Sequence, residues 1–197
     1  MATPKSQRIG IWIIAIVLTV GTLGSFLVMG LSVGNQKVDQ ADAQKKYDES
    51  IKQQLADEKA NAQVNASSSE PLAGYAARTF DASSVTGLKV ETLIQGDGQA
   101  VAAADSINAS YFGWSSDGKI FDSSKKSGAD DKPVTFPLSG VIPGWTEGLT
   151  GIKVGSTVRL TIPAVKAYGE GGSGVITANS PLEFIVKINS IDNSQAA

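Results

Sequence analysis

The sequence contains no histidine and no cysteine. Without cysteine, the chain forms no disulfide and offers no thiolate as a nucleophile or as a metal ligand. Without histidine, it has no imidazole base, no Ser-His-Asp triad and no histidine-ligated zinc. Any activity must therefore depend on other side chains and on the backbone, and we expect neither a metal nor another cofactor.

Strong charge of one sign is also missing. The formal net charge is −2, and acidic and basic residues are spread along the chain. No basic patch indicates nucleic acid, and no acidic block indicates a solvating tail. We therefore expect no nucleic-acid partner.

One stretch, residues 9–34, has no charged residue at all and is rich in Ile, Val and Leu. Its roughly 26 residues form a helix of about 39 Å, enough to cross a hydrocarbon core of about 30 Å. The apolar region of a cleavable signal peptide is shorter, at about 7–15 residues. Ser32-Val33-Gly34 nevertheless fits the small-x-small pattern of a cleavage site, so cleavage stays an alternative. The length favours an uncleaved transmembrane signal-anchor.

The segment before this stretch, residues 1–8, carries the positive charges Lys5 and Arg8. The positive-inside rule places it in the cytoplasm and the rest of the chain outside, as a single-pass protein of the cell membrane. Gly30 and Gly34 form a G-x-x-x-G pair, a common chance motif, so helix dimerisation is the minor alternative. A monomer is the favoured state.

After the anchor, residues 35–62 are polar and helix-favouring, with few apolar positions. Their apolar stripe is too thin to bury, which predicts a helical stalk, with a weak coiled coil as the alternative. Residues 63–84 are rich in Ala, Ser and Asn and are interpreted as a flexible linker. A folded domain is predicted from residue 85 to residue 193.

Within this domain, apolar residues alternate with the period of β-strands and turn signals separate the runs. The strands are predicted at residues 88–94, 107–114, 120–121, 134–138, 157–162 and 182–191. Between the strands at residues 134–138 and 157–162 lies Val141-Ile142-Pro143-Gly144-Trp145, where proline suits the first turn of a helix. Gly148 and Gly151 keep that helix short. The pattern predicts an α+β fold with five to six antiparallel strands and one short helix.

Five motifs of this domain resemble, in order and spacing, those of the FKBP-type peptidyl-prolyl cis-trans isomerases. They are Val90-Glu91 with Gly96-Asp97-Gly98, Tyr111-Phe112-Gly113, residues 117–124 (DGKIFDSS), residues 141–149 (VIPGWTEGL), and Ala167-Tyr168-Gly169. The resemblance covers residues 87–191. It implies a half-closed antiparallel sheet wrapped around the short helix, with an apolar pocket between them for a prolyl ring.

The resemblance also implies roles for individual residues. Asp122, Tyr168 and Tyr111 are expected as catalytic residues, with Asp122 paired to the Tyr111 hydroxyl. Trp145 is expected at the pocket floor, and the Ile142 N–H and the Tyr168 hydroxyl as donors to substrate carbonyls. The remaining substrate-binding residues are Phe121, Val134, Val141, Val175, Ile176 and Phe184, with Val134 where many members carry phenylalanine.

These roles suit a chain without histidine or cysteine, since rotation about an X–Pro bond needs an apolar site and a few donors rather than a nucleophile. The first hypothesis is thus a prolyl isomerase that assists folding of extracytoplasmic proteins, with proline-containing polypeptides as clients. Macrolide ligands of the family are a second class of expected ligand. The alternative function is a non-catalytic chaperone module that binds proline segments, and a domain facing the cytoplasm is the alternative location.

Overall fold

A computed structural model of the protein describes residues 39–192. The predicted cytoplasmic segment 1–8 and signal-anchor 9–34 lie outside the described residues. Within the described range, no helix is both long and apolar enough to cross a membrane. The chain divides into two compact units, one up to Glu58 and one from Lys59 onward.

The first described element is helix α1, Asp39–Ser68. It continues past residue 62, where the predicted stalk ends. The helix tolerates its serine-rich end because the hydroxyls of Ser67 and Ser68 donate to carbonyls three residues earlier, at 2.9 and 3.0 Å. Such local bonds satisfy carbonyls that a helix end leaves without a partner.

Residues 69–80, here called the N-terminal strap, also differ from the predicted linker at residues 63–84. Four of their side chains pack against an apolar group on the sheet: Leu72, Tyr75, Ala77 and Phe80 against Phe112, Trp114 and Ile185. The Phe80 N–H donates to the Ser116 carbonyl (3.1 Å), and Trp114 Nε1 donates to the Arg78 carbonyl (2.9 Å). The packed part of the domain therefore begins well before residue 85.

The described residues contain one antiparallel sheet of six strands, as predicted, in the order β1-β5-β6-β2-β3, with β4 pairing beside β3 on the same edge of β2. Strand β2 is the long central member and β6 covers its whole length. The bounds are β1 Lys89–Ile94, β2 Ser106–Ser115, β3 Ile120–Ser123, β4 Val134–Pro137, β5 Thr157–Ile162 and β6 Leu182–Asp192.

Strand β2 is buried on both faces. Its successive side chains point to opposite sides of the sheet, so each face of the strand can be followed separately. Phe112 and Trp114 point to the outer face, where their rings stack at 5.0 Å beneath the N-terminal strap. Tyr111 and Gly113 point to the inner face, which is also the face that meets the short helix.

The short helix α2, Pro143–Leu149, lies against this inner face. Pro143 occupies its first turn, as the sequence predicts, and the Trp145 N–H donates to the Ile142 carbonyl (2.9 Å). The helix approaches β5 closely through Gly144 and Gly148. A Cβ on Gly144 would lie 2.4 Å from Ile162, and one on Gly148 would lie 2.9 Å from Leu160.

We expect Gly144→Ala to lower the free energy of unfolding by about 1–2 kcal/mol, because the cost of overpacking exceeds the roughly 1 kcal/mol that alanine gains over glycine in a helix. Urea unfolding measures the change. Gly140→Ala is the matched control, since its nearest added contact, with Pro137, would be an ordinary 3.5 Å. Equal stability of the two variants would contradict this account of helix packing.

Candidate proline-binding site

The inner face of the sheet and helix α2 together form a cluster of aromatic rings. Trp145 is 3% exposed. The centroids of Tyr111, Phe136 and Phe184 each lie 5.4 Å from it, and all three rings meet it edge to face. This geometry is favoured between aromatic rings and holds the indole in one orientation.

Phe121 joins the cluster through Phe184, at 5.5 Å. Both rings lie over Gly113, where a Cβ would approach them to 2.6 and 2.4 Å. The β2–β3 pairing shifts register between Gly113 and Trp114. Bulges of this kind redirect side chains, and here the consecutive residues Phe121 and Asp122 both reach the inner face. We define the aromatic cluster as Tyr111, Phe121, Phe136, Trp145 and Phe184.

The carboxylate of Asp122 lies at the edge of the aromatic cluster, with its side chain 18% exposed. Its Oδ2 accepts a short hydrogen bond from the Tyr111 hydroxyl. Its Oδ1 accepts from the Ser123 N–H (2.8 Å), from Lys126 Nζ (3.1 Å) and from Asn65 Nδ2 (2.7 Å). A carboxylate with this many donors keeps a fixed orientation.

Burial raises the pKa of Tyr111 well above its ordinary value, and the neighbouring charge of Asp122 raises it further. The same two causes, burial first, raise the pKa of Tyr168 to about 12. Both hydroxyls therefore keep their protons at neutral pH, so each can act as a hydrogen-bond donor.

Two of the predicted donors are available to a ligand. Within residues 39–192, neither the Tyr168 hydroxyl nor the Ile142 N–H donates to an acceptor of the protein. Trp145 Nε1, in contrast, is buried and has no hydrogen-bond partner within the same range. A buried donor without a partner lowers the free energy of unfolding by about 1–3 kcal/mol. The aromatic rings around Trp145 offer it few acceptors.

The structure brings most of the predicted residues together. Contacts link five of them: Tyr111, Phe121, Asp122, Trp145 and Phe184. The charge of Asp122 also raises the pKa of Tyr168. Val141 and Ile142 directly precede α2 and are half-buried. Val175 and Ile176 lie in a separate tight turn between Ser173 and Ile176. Their contact with a ligand stays a prediction.

Val134 lies on β4 and is half-buried, and its neighbour two residues on, Phe136, is the ring that contacts Tyr111 and Trp145. Phe136 was not among the predicted site residues, although strand alternation places both residues on one face. Lys126 and Asn65, the side-chain donors to Asp122 Oδ1, were not among them either. No local pattern marks Asn65, because it is 57 residues away from Asp122 along the chain.

No group of three His, Cys, Asp or Glu residues within residues 39–192 could hold a metal ion. The arrangement combines an aromatic surface that excludes water with a few fixed donors at its edge. Such a site suits an apolar ring that carries carbonyl groups on either side. The six-stranded sheet, the short helix and the aromatic cluster between them define an α+β domain whose site suits one apolar ring.

Comparison with known proteins agrees with this class. The sequence model of the family described as FKBP-type peptidyl-prolyl cis-trans isomerase matches residues 98–189. The isomerase FkpA of Aeromonas hydrophila is 40% identical over 127 residues, which are 64% of this chain and 46% of that protein. The FKBP-type 22 kDa isomerase of Escherichia coli is 44% identical over 107 residues, 54% of this chain and 50% of that protein.

Among solved structures, FkpA of Escherichia coli superposes with a TM-score of 0.50 at 28% identity, covering 98% of this chain and 84% of that one. The chain matches half or less of the length of the two curated relatives. The family match nevertheless includes α2 and every member of the aromatic cluster. The chain belongs to the FKBP-type peptidyl-prolyl cis-trans isomerase family.

We expect the substitution Asp122→Asn to lower the pKa of Tyr168 from about 12, because it removes a negative charge that disfavours ionisation. Burial remains, so the pKa stays above that of a free tyrosine. Alkaline ultraviolet difference titration measures it, with Tyr168→Phe identifying the contribution of this residue and circular dichroism reporting the fold. Superimposable titration curves would contradict the placement of Tyr168 beside Asp122.

Proposed function

We propose that this protein is a peptidyl-prolyl cis-trans isomerase that assists the folding of proline-containing polypeptides outside the cytoplasm. The observation that carries the proposal is the aromatic cluster around Trp145, next to the Tyr168 hydroxyl and the Ile142 N–H, which donate to no protein acceptor within residues 39–192. Membership of the FKBP-type family supports the same reaction.

The reaction is slow without help because the peptide C–N bond has partial double-bond character. Its rotation barrier is about 18–20 kcal/mol, and an X–Pro bond isomerises in tens to hundreds of seconds, slowly enough to limit folding. Twisting the bond breaks the resonance and reduces the charge separation between nitrogen and oxygen. An apolar site that excludes water therefore favours the twisted state over the planar one.

Each part of the site has a role in this scheme. The aromatic cluster receives the prolyl ring over Trp145 and excludes water from the rotating bond. The Ile142 N–H and the Tyr168 hydroxyl hold the carbonyls on either side, so that rotation is confined to one bond. Asp122 holds the Tyr111 hydroxyl, and its charge helps to keep Tyr168 protonated. No covalent intermediate is required.

The same pocket is proposed to bind macrolide ligands of the family in competition with prolyl substrates. Val134 offers less surface than the phenylalanine common at this position, whereas Phe136 on the same face supplies an aromatic ring next to Tyr111. The pocket therefore keeps an aromatic wall on the side of β4.

We further propose that the isomerase domain faces the outside of a bacterial cell membrane. The uncharged length of residues 9–34 and the positive charges Lys5 and Arg8 support this placement. A folding role outside the cytoplasm follows from the same orientation, because newly exported chains arrive unfolded and contain unisomerised X–Pro bonds.

The full 197-residue chain is expected to accelerate isomerisation of a short Xaa-Phe-Pro peptide, followed by a protease-coupled assay. Tyr168→Phe should lower kcat/KM by about 2- to 10-fold, the usual effect of losing one hydrogen bond. Tyr75→Phe makes the same chemical change on the outer face and should leave the rate unchanged.

A rate equal to that in buffer would overturn the isomerase assignment. Peptide binding without acceleration would instead favour the non-catalytic module that binds proline segments. Equal effects of the two tyrosine substitutions would place Tyr168 outside the site.

Location is tested by adding protease to intact cells that express the protein. The domain should be digested without lysis, because it lies on the outer side of the membrane. A cytoplasmic protein detected in the same samples controls for cell integrity. Protection until lysis would place the domain in the cytoplasm.

A further inference from the structure

The end of helix α1 supplies a hydrogen bond to the carboxylate of the site. Asn65 Nδ2 donates to Asp122 Oδ1 at 2.7 Å, across 57 residues of sequence. Asp122 is the residue whose other oxygen accepts the Tyr111 hydroxyl. Asn65 lies well upstream of residues 98–189, which match the family model.

This contact is part of a closed ring of hydrogen bonds. Lys126 Nζ donates to both Asp122 Oδ1 (3.1 Å) and Ser69 Oγ (2.9 Å). The Ser69 hydroxyl in turn donates to the Asn65 carbonyl at 2.8 Å. These hydrogen bonds join the end of α1 to the segment after β3, and the ring begins and ends at Asn65.

The same helix end is packed as well as hydrogen-bonded. Ala62 is 8% exposed, and a Cβ added at Gly174 would lie 2.7 Å from the Ala62 methyl group. Ala62 and Asn65, three residues apart, share one face of α1, and Ser69 directly follows the end of the helix. This face contacts the Asp122 segment on one side and the turn that contains Val175 on the other.

Among the donors to Asp122 Oδ1, Asn65 has a distinct physical character. Lys126 carries its charge on a flexible chain of four methylenes, which allows many carboxylate orientations. The Asn65 amide is short, lies on a helix and is neutral. It can therefore fix the rotation of the carboxylate without neutralising the charge that acts on Tyr168.

We propose that Asn65 is a positioning residue of the isomerase site, which orients Asp122 so that Oδ2 holds the Tyr111 hydroxyl. The proposal rests on the proposed function. It makes the end of α1 part of the catalytic unit rather than a spacer in front of it. Asn65 acts through Asp122 and touches no reacting atom.

The first test compares Asn65→Ala with Asn61→Ala in the full chain. Asn61 lies one turn earlier on the same helix and is exposed, so both variants make the same change in helix propensity. Asn65→Ala should lower kcat/KM by about tenfold, the effect expected for one hydrogen bond to a charged group, with most of the loss in kcat. Asn61→Ala should match the wild type.

The second test separates positioning from simple docking of the helix. In an Asp122→Ala background, Asn65→Ala should have no further effect on kcat/KM, because the group through which it acts is gone. The same fold loss in both backgrounds would show that Asn65 acts without Asp122 and would overturn the proposal. Unchanged kcat/KM for Asn65→Ala in the wild-type background would overturn it as well.

Failure of the proposed function gives a different result. If the wild type is no faster than buffer, the isomerase assignment is lost, and the variants are compared by calorimetric titration with the same prolyl peptide. Weaker binding of Asn65→Ala, but not of Asn61→Ala, would then support positioning of Asp122 within a binding site. Equal binding of both variants would overturn it.

Discussion

Close contact between a seven-residue helix and the sheet is the constraint on which this site depends. A helix this short is not stable by itself in water, so its position is set entirely by what it packs against. Gly144 and Gly148 let its backbone lie directly on Ile162 and Leu160. That approach carries Trp145 into the ring contacts of the inner face. The floor of the site and its walls are therefore fixed by the same packing, and neither exists without the other.

Asp122 is the only charged residue among the predicted site residues, and it lies at the edge of the aromatic cluster. The aromatic cluster offers almost no hydrogen-bond partner, as the lone indole N–H of Trp145 shows within residues 39–192. Asp122 lies where this apolar surface ends, and donors from the backbone, from Lys126 and from Asn65 surround its Oδ1. A carboxylate beside apolar rings is tolerated only when such donors replace water. The field of this one charge then acts on the tyrosine hydroxyls nearby.

Much of the domain could be predicted from local sequence rules. Strand alternation gives the six strands, and Pro143 followed by glycines gives a short helix at the correct place. The same alternation could also have found Phe136, two residues after Val134. The register shift at Gly113 could not be predicted, because a bulge depends on pairing between two strands. The end of α1 and the N-terminal strap were interpreted as stalk and linker, since their Ala- and Ser-rich composition lacks a broad apolar stripe. Their contacts are made with residues far away in the sequence.

The N-terminal strap also bears on the solubility of the domain. It covers Phe112, Trp114 and Ile185, three large side chains on the face of the sheet away from α2. A chain that began at residue 98, where the family match starts, would lack the strap's cover over these side chains. Contiguous apolar patches of that kind promote self-association and aggregation. The strap therefore limits how far the isomerase domain can be shortened at its N-terminal end without promoting aggregation.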